Sequence, residues 1–461
     1  SVNAVAADPS DLLPVVPSAA NAIVVIDVEA LLATELSKRH HWDDKATLEY
    51  AQRPVLVPAE SSAVAIAASL DFNAELSPRW QVGIAQMTKR FEIPSIARWE
   101  GGYADRIAGS AAAWSPVNCY IVELPGQLLG IISPADRQSV ARWLELQDQG
   151  APRRVSQYLQ DAARQVSNKT QLVMAIDAQQ AIAPHRLKEL TDHSEILFKE
   201  PRQADDVRTQ LAALVGVTLK VSVTTHAEGE LRIDFTTGPK NGPLVKPLLI
   251  ETLDRFDLHL EELEQWSAKV DGNSLVLSGR FSPEGLRRVG SLLQLPTAKF
   301  SDLSDAAPAE PGSDDCTLRS QQYFHAVSAL IDDLNKTLKS NRDNHAVWME
   351  RYGQKVDALP ILNVDDELLD WGASVGETFR TMALAQRSSG IRQGVRKSSV
   401  YGNYDYGNGY YGARPVANEK GEITRQEAAR ASKVRFESWK ELEDSRAEIR
   451  RTMTKKYGVE F

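Results

Sequence analysis

Two stretches of the chain carry the same run of apolar positions. Ala22-Ile23-Val24-Val25-Ile26-Asp27 reads as a buried strand and passes into the helical spacing of Val28 to Leu32. Leu172-Val173-Met174-Ala175-Ile176-Asp177 repeats the strand and passes into Ala178 to Ile182. A second pair lies further along. Ile132-Ser133-Pro134 is followed by Val140, Leu144 and Leu146, and Phe281-Ser282-Pro283 by Val289, Leu293 and Leu295, in both cases at the seventh, eleventh and thirteenth positions after the serine. Both pairs are separated by about 150 residues, and two independent matches at one interval predict a duplicated module.

Local chemistry explains the residues that open these helices. Ser133 and Ser282 are placed to accept from the free N–H groups of a first helical turn, with proline at the first helical position. Asp27 and Asp177 fit strand-to-helix corners as N-caps. An acid at the end of a strand can also be catalytic, but no partner residue accompanies either one in sequence.

Within each copy the pattern mixes strand and helix. Val217 to Val223 and Glu230 to Phe235 alternate apolar and polar positions with Gly229 in the connection, which predicts a hairpin with one wet face. Trp266 to Val270 and Ser274 to Leu277 form another, turning on Asp271-Gly272. In the first copy, strands are expected at Ala63 to Leu70, Gln81 to Ala85, Tyr120 to Glu123 and Leu128 to Ile132, with Pro125-Gly126 in the last turn. Helices are expected at Ala204 to Leu214 and Pro243 to Leu263. Antiparallel hairpins with helices to one side predict an α+β fold: an N-terminal segment 1–20, α+β modules at 21–150 and 151–300, then a mainly helical C-terminal region.

The join is an acidic, Pro- and Ser-rich linker, 301–316. The helical region 317–395 follows, with Tyr323, Phe324, Val327, Leu330, Ile331 and Leu334 on one stripe and Asp365-Asp366 placed to cap a later helix. A Tyr/Gly-rich segment, 396–416, comes next. It holds Tyr401, Tyr404, Tyr406, Tyr410 and Tyr411, five of the chain's 12 tyrosines, spaced by glycines. Flat rings with polar tips on a permissive backbone suit contact with another polypeptide, a glycan-binding strip or an ordinary loop. The C-terminal helix, 417–461, is densely charged, with Trp439, Leu442, Ile449 and Met453 on one side. Together with the tyrosines, Trp439 and Leu442 are the candidate interaction residues.

Charge and composition narrow the function classes. Among 461 residues, Lys+Arg 53 against Asp+Glu 62 give a net charge of −9, which argues against a protein built to neutralise phosphate backbones, despite Arg387, Arg392, Arg396 and Lys397 upstream of the tyrosines. No nucleic-acid partner and no transmembrane segment are expected. Cys119 lies in a strand pattern and Cys316 in a polar segment; two buried or chance thiols and a single bridge are both open. The start at Ser1 and the small residues Val5-Ala6-Ala7 suggest a processed, exported chain.

Motifs for phosphate loops, nucleophile elbows, zinc or calcium are absent, so no cofactor, metal or catalytic residue is expected. His40-His41 with Asp43-Asp44 reads as a solvated helix end. Arg137 with Arg142, or Arg287 with Arg288, can line an anion pocket near the repeat helices, though surface charge is the simpler expectation.

The residues Val16 to Ala22, Asp136-Arg137-Gln138 to Arg142-Trp143, Gly285 to Arg288 and Leu359-Pro360 resemble those of uncharacterised exported proteins of planctomycete bacteria, over about residues 12 to 380. That resemblance implies a periplasmic, cell-surface or extracellular setting and no established activity. The expectation is a non-enzymatic, exported structural or interaction protein that self-assembles into an oligomer or filament through its C-terminal third, with other envelope proteins or glycans as further partners. The alternatives are a soluble module holding a small ligand or glycan between the repeats, and a hydrolase.

Overall fold

The computed structural model describes residues 8–58, 60–72, 76–148, 154–179, 181–192, 194–239, 242–255, 258–297, 309–310, 312–338, 345–399 and 413–461. In the first module β1 (Ala22–Asp27) runs into α1 (Val28–Leu32) and α2 (Glu35–Arg39). Then come β2 (Ser61–Asp71), β3 (Ser77–Met87), α3 (Ile93–Glu100), β4 (Tyr103–Ile107), β5 (Ser110–Ser115), β6 (Cys119–Leu124), β7 (Leu128–Ser133) and α4 (Arg137–Asp148). The second module comprises α5 (Gln157–Ala163), β8 (Leu172–Asp177), α6 (Pro184–Asp192), α7 (Glu195–Lys199), α8 (Ala204–Ala212), β9 (Leu214–Val223) and β10 (Ala227–Phe235). It closes with α9 (Gly242–Arg255), α10 (Glu262–Gln265), β11 (Ser267–Asp271), β12 (Ser274–Arg280) and α11 (Pro283–Ser291).

Both modules share one antiparallel sheet of twelve strands, in the order β11-β12-β10-β9-β8-β1-β2-β3-β7-β6-β5-β4. The two modules meet at the β1–β8 ladder, where Val24 pairs with Met174. These residues occupy the same place relative to Asp27 and Asp177, and a residue that pairs with its own counterpart lies on a local two-fold axis. Outward from that axis, β1-β2-β3-β7-β6 is matched by β8-β9-β10-β12-β11, so the sequence duplication is a pseudo-two-fold of the fold. The first copy carries β5 and β4 in addition. Both were missed in sequence because Ser110-Ala111-Ala112-Ala113 lacks the branched residues that mark a strand.

Strand alternation sends Val24, Ile26, Ile66, Met174, Val221 and Leu277 to one face and Ile23, Val25, Val82, Ile84, Val122 and Val173 to the other. The first face packs under residues of α1, α3 and α11. The second is covered by the 3-10 segment Pro9–Val15, α4 and α5. Helices therefore flank both faces, not one as the hairpin pattern suggested. The second face is polar over β9 and β10, where Lys220 pairs with Glu230 and Arg232 bridges Asp234 and Asp271, which is the wet face expected of that hairpin.

The two Ser-Pro segments diverge. Ser282 caps α11 by accepting from the Gly285 N–H at 2.9 Å, with Pro283 at the first position. Ser133 instead ends β7 opposite Gln81, and α4 begins beyond it with the Asp136 carboxylate accepting from the Ser139 N–H at 3.0 Å. As a result Val140 and Leu144 enter the second face, while Val289, Leu293 and Leu295 enter the first. Asp27 caps α1 by accepting from the Ala30 N–H at 2.8 Å. Asp177 accepts from Gln179, and the next helix begins only at Pro184.

A glycine pair fixes part of the first face. Gly229 and Gly279 sit opposite each other on β10 and β12, and a Cβ on either would strike the Trp266 indole. That ring packs edge-on to Phe281 with centroids 4.9 Å apart, and its Nε1 donates to the Arg280 carbonyl at 3.1 Å.

The C-terminal region consists of α12 (Asp314–Leu338), α13 (Ala346–Asp357), α14 (Asp366–Ser399) and α15 (Ala413–Tyr457). Residues 301–308 of the expected linker lie outside the described residues, and Asp314, Asp315 and Cys316 already belong to α12. Tyr323, Phe324, Val327, Leu330, Ile331 and Leu334 are buried with Trp348, Tyr352 and Phe379, so the predicted stripe is a packing face. Cys119 and Cys316 are both buried and are not bridged to each other, which settles the alternatives against a disulfide.

Candidate interaction surface

Helices α14 and α15 form an antiparallel pair that brackets the Tyr/Gly-rich segment. Their base is an ionic knot. Asp365 caps α14 by accepting from the Glu367 N–H at 3.0 Å, and its carboxylate also takes Lys456 Nζ at 2.9 Å and the Tyr457 hydroxyl at 2.7 Å. Burial opposes the charge on Asp365, but Lys456 and Tyr457 outweigh it and hold the carboxyl below the usual aspartate range. Lys456 Nζ also donates to Glu367 at 2.7 Å, and Glu367, then Asp365, push Lys456 above the ordinary lysine value.

Further along, Trp371 Nε1 donates to Ser445 Oγ at 3.3 Å, and Phe379 faces Trp439 with ring centroids 6.5 Å apart. Arg446 reaches Asp332 on α12 at 2.8 Å and Arg387 reaches Glu350 on α13 at 2.8 Å, which ties the pair to the helical core. Beyond the Phe379–Trp439 level, apolar groups face outward. Leu384 is 66% exposed and Phe436 70%, with Val434 also exposed. The antiparallel register set by Trp371–Ser445 and Phe379–Trp439 brings these three to one level of the hairpin.

The candidate interaction residues divide accordingly. Leu442 is 2% exposed inside the helical core and Trp439 is half-buried against Phe379, so both serve packing within the chain and neither offers the free surface expected of it. An i, i+3 pair on a charged helix reads the same whether its face meets its own chain or another. Tyr401, Tyr404, Tyr406, Tyr410 and Tyr411 lie outside the described residues. At the margins of the predicted segment, Ser399 ends α14 and Ala413 opens α15. Leu384, Val434 and Phe436 were not singled out in sequence, since isolated apolar residues among charges carry no periodic signal.

Other candidates fall in separate places. His40 and His41 are exposed beside Asp43 and Asp44, and among the described residues no group of three or more His, Cys, Asp or Glu is arranged to hold a metal. Arg137 pairs with Asp105 at 3.1 Å and Arg142 is exposed. Arg287 and Arg288 overturn the expectation of surface charge, because Arg288 is buried and Arg287 is largely so. The seam between the repeats, where a ligand was considered, is filled by the buried β1–β8 ladder among the described residues. A small depression, partly open to solvent, lies instead between Tyr50, Arg319, Gln322, Tyr323 and Leu359. No helix among the described residues is long and apolar enough to cross a membrane.

Comparison with known proteins adds little to this geometry. No protein-family model matches the chain, and no curated protein matches it. A solved structure titled "Structure of crystal form I of TP0453" is similar at a TM-score of 0.35 and 13% identity, covering 62% of this chain and 96% of that one.

Proposed function

We propose that the chain is a non-enzymatic, exported structural or interaction protein that self-assembles through its C-terminal third, with other envelope proteins or glycans as further partners. The observation that supports this reading is the α14–α15 hairpin: a long helical pair, anchored at its base, carries exposed Leu384, Val434 and Phe436 and flanks a segment of five tyrosines. Exposed aromatic and aliphatic groups at one level of a helix pair offer apolar area to a partner. The tyrosine–glycine sequence supplies further aromatic area at low rotamer cost. Deleting Tyr401 to Gly412 tests the proposal by sedimentation velocity. Loss of the oligomer with an unchanged circular dichroism spectrum is expected; an unchanged sedimentation profile would refute it.

A further inference from the structure

At the β4 edge of the sheet, three aromatic residues stand in one cross-strand row. Tyr103 of β4 pairs with Trp114 of β5, and Trp114 pairs with Tyr120 of β6. Strand alternation puts Asp105 and Ile107 on the same face as Tyr103. Exposure rises toward Tyr103 in both directions. Across the strands, Tyr120 is buried, Trp114 half-buried and Tyr103 53% exposed. Along β4, Ile107 is buried with Val140 and Trp143 of α4, Asp105 is half-buried, and Tyr103 lies beyond. The Tyr103 and Trp114 rings are stacked, with centroids 5.2 Å apart and planes 21° from parallel. Because β4 is the last strand of the sheet, no further strand covers the outer side of Tyr103.

Beside this stack the start of α4 raises a polar step. Arg137 opens that helix; its Nε donates to Asp105 Oδ2 at 3.1 Å and its Nη2 to the Arg106 carbonyl at 2.9 Å. Its Nη1 has no acceptor among the described residues, and the side chain is 59% exposed. The Tyr120 hydroxyl donates to the same Asp105 oxygen at 3.5 Å. The hydrogen bond from Arg137 holds the Asp105 carboxyl below the usual aspartate range and raises Arg137 in turn, while burial, then the Tyr103 hydroxyl, pushes Tyr120 up to about 12. At neutral pH, therefore, the step presents one anion, one cation and neutral phenols. A cross-strand aromatic pair steadies its hairpin, but that role alone does not call for a ring left half in water beside an ion pair with an unused donor.

We propose that this edge binds a neutral saccharide, one pyranose lying against the Tyr103–Trp114 stack with its hydroxyls meeting Asp105 and Arg137. A pyranose has an apolar face of C–H groups and a rim of hydroxyls that each donate and accept. The face matches a flat aromatic surface, and the rim matches an acceptor set beside a donor. Stacked nucleobases would also suit the rings, but their phosphates call for a cationic track, and here Asp105 and Arg137 cancel. The inference rests on the proposed function only in taking glycans as partners, and the α14–α15 surface has no part in it.

The test is native electrophoresis of the full chain through gels cast with hydroxyethylcellulose, xylan, galactomannan or laminarin, followed by calorimetry with the hexasaccharide of whichever polymer retards it. Retardation by at least one polymer is expected. Tyr103→Ala should then weaken binding by about tenfold, Arg137→Gln by about fivefold, and Tyr103→Phe by less than about threefold, each with an unchanged urea midpoint. Migration unaffected by all four polymers would overturn the proposal, as would undiminished binding by a folded Tyr103→Ala chain. Tighter binding of hexathymidylate than of any saccharide would also overturn it, by assigning the rings to nucleobases. Sedimentation of the same samples reads self-assembly separately: a monomer that binds saccharide contradicts the assembly reading alone, and an assembled chain that binds none contradicts this one alone.

Discussion

Replacing Lys355 by methionine probes how much the buried cations cost. Lys355 lies at about 7 instead of 10.5, lowered first by burial and then by Arg287. At about 1.4 kcal/mol per pKa unit, that difference corresponds to roughly 5 kcal/mol of penalty when the ammonium is charged. Because the folded value is lowered, the unfolded chain holds the extra proton between about pH 7 and 10.5, so this group makes the wild type more stable as pH rises through that window. Below pH 7 the full penalty applies. Methionine keeps the chain length, removes the penalty and leaves the Pro54 carbonyl without its donor, at a cost of about 1–3 kcal/mol. The variant should therefore be more stable than the wild type by about 2–4 kcal/mol at pH 6, and less stable by about 1–3 kcal/mol above pH 10. Urea denaturation across this pH range reads the difference directly. Parallel curves for the two proteins, or a variant that loses ground as pH falls, would refute the reasoning.

Other perturbations address separate parts of the account. Gly279→Ala should destabilise by about 1–3 kcal/mol by forcing Trp266 from its slot, visible as a lower urea midpoint and a changed indole emission. Asp333→Ala should cost about 3–5 kcal/mol in the same assay, since it strands the buried Arg287 and takes the acceptor from Tyr352. Burial, then His259 and Arg288, lower His345 to about 3; the unfolded chain binds its proton first, so stability should fall as pH drops from about 6.5 toward 3, and His345→Asn should flatten that acid limb. The pair Leu384→Ser and Phe436→Ser should change stability by less than about 0.5 kcal/mol yet lower the sedimenting mass.

Much of the architecture was legible because duplication prints twice. The strands ending at Asp27 and Asp177 proved to be the pair at which the two modules join, and the hairpin at Asp271-Gly272 turns where the dipeptide suggests, with Gly272 at φ 58°. What sequence did not carry was which face a helix covers. The apolar spacing after Ser133 and Ser282 is identical, yet α4 and α11 pack on opposite faces, because the direction of chain exit from β7 and β12 is a tertiary property. Composition likewise concealed the fate of charged residues: Arg287-Arg288 reads as an ordinary solvated pair until α12 and α13 close over it. Trp439 and Leu442 show the same ambiguity in reverse, since apolar groups expected to meet another copy are used by α14 and the helical core.

The central claim is self-assembly, and the most direct measurement is the absolute mass of the full chain by light scattering across a range of concentrations. The account predicts a defined oligomer or filament whose mass is a multiple of 50.9 kDa and grows with concentration until assembly is complete. A monodisperse species of 50.9 kDa at every concentration would contradict it.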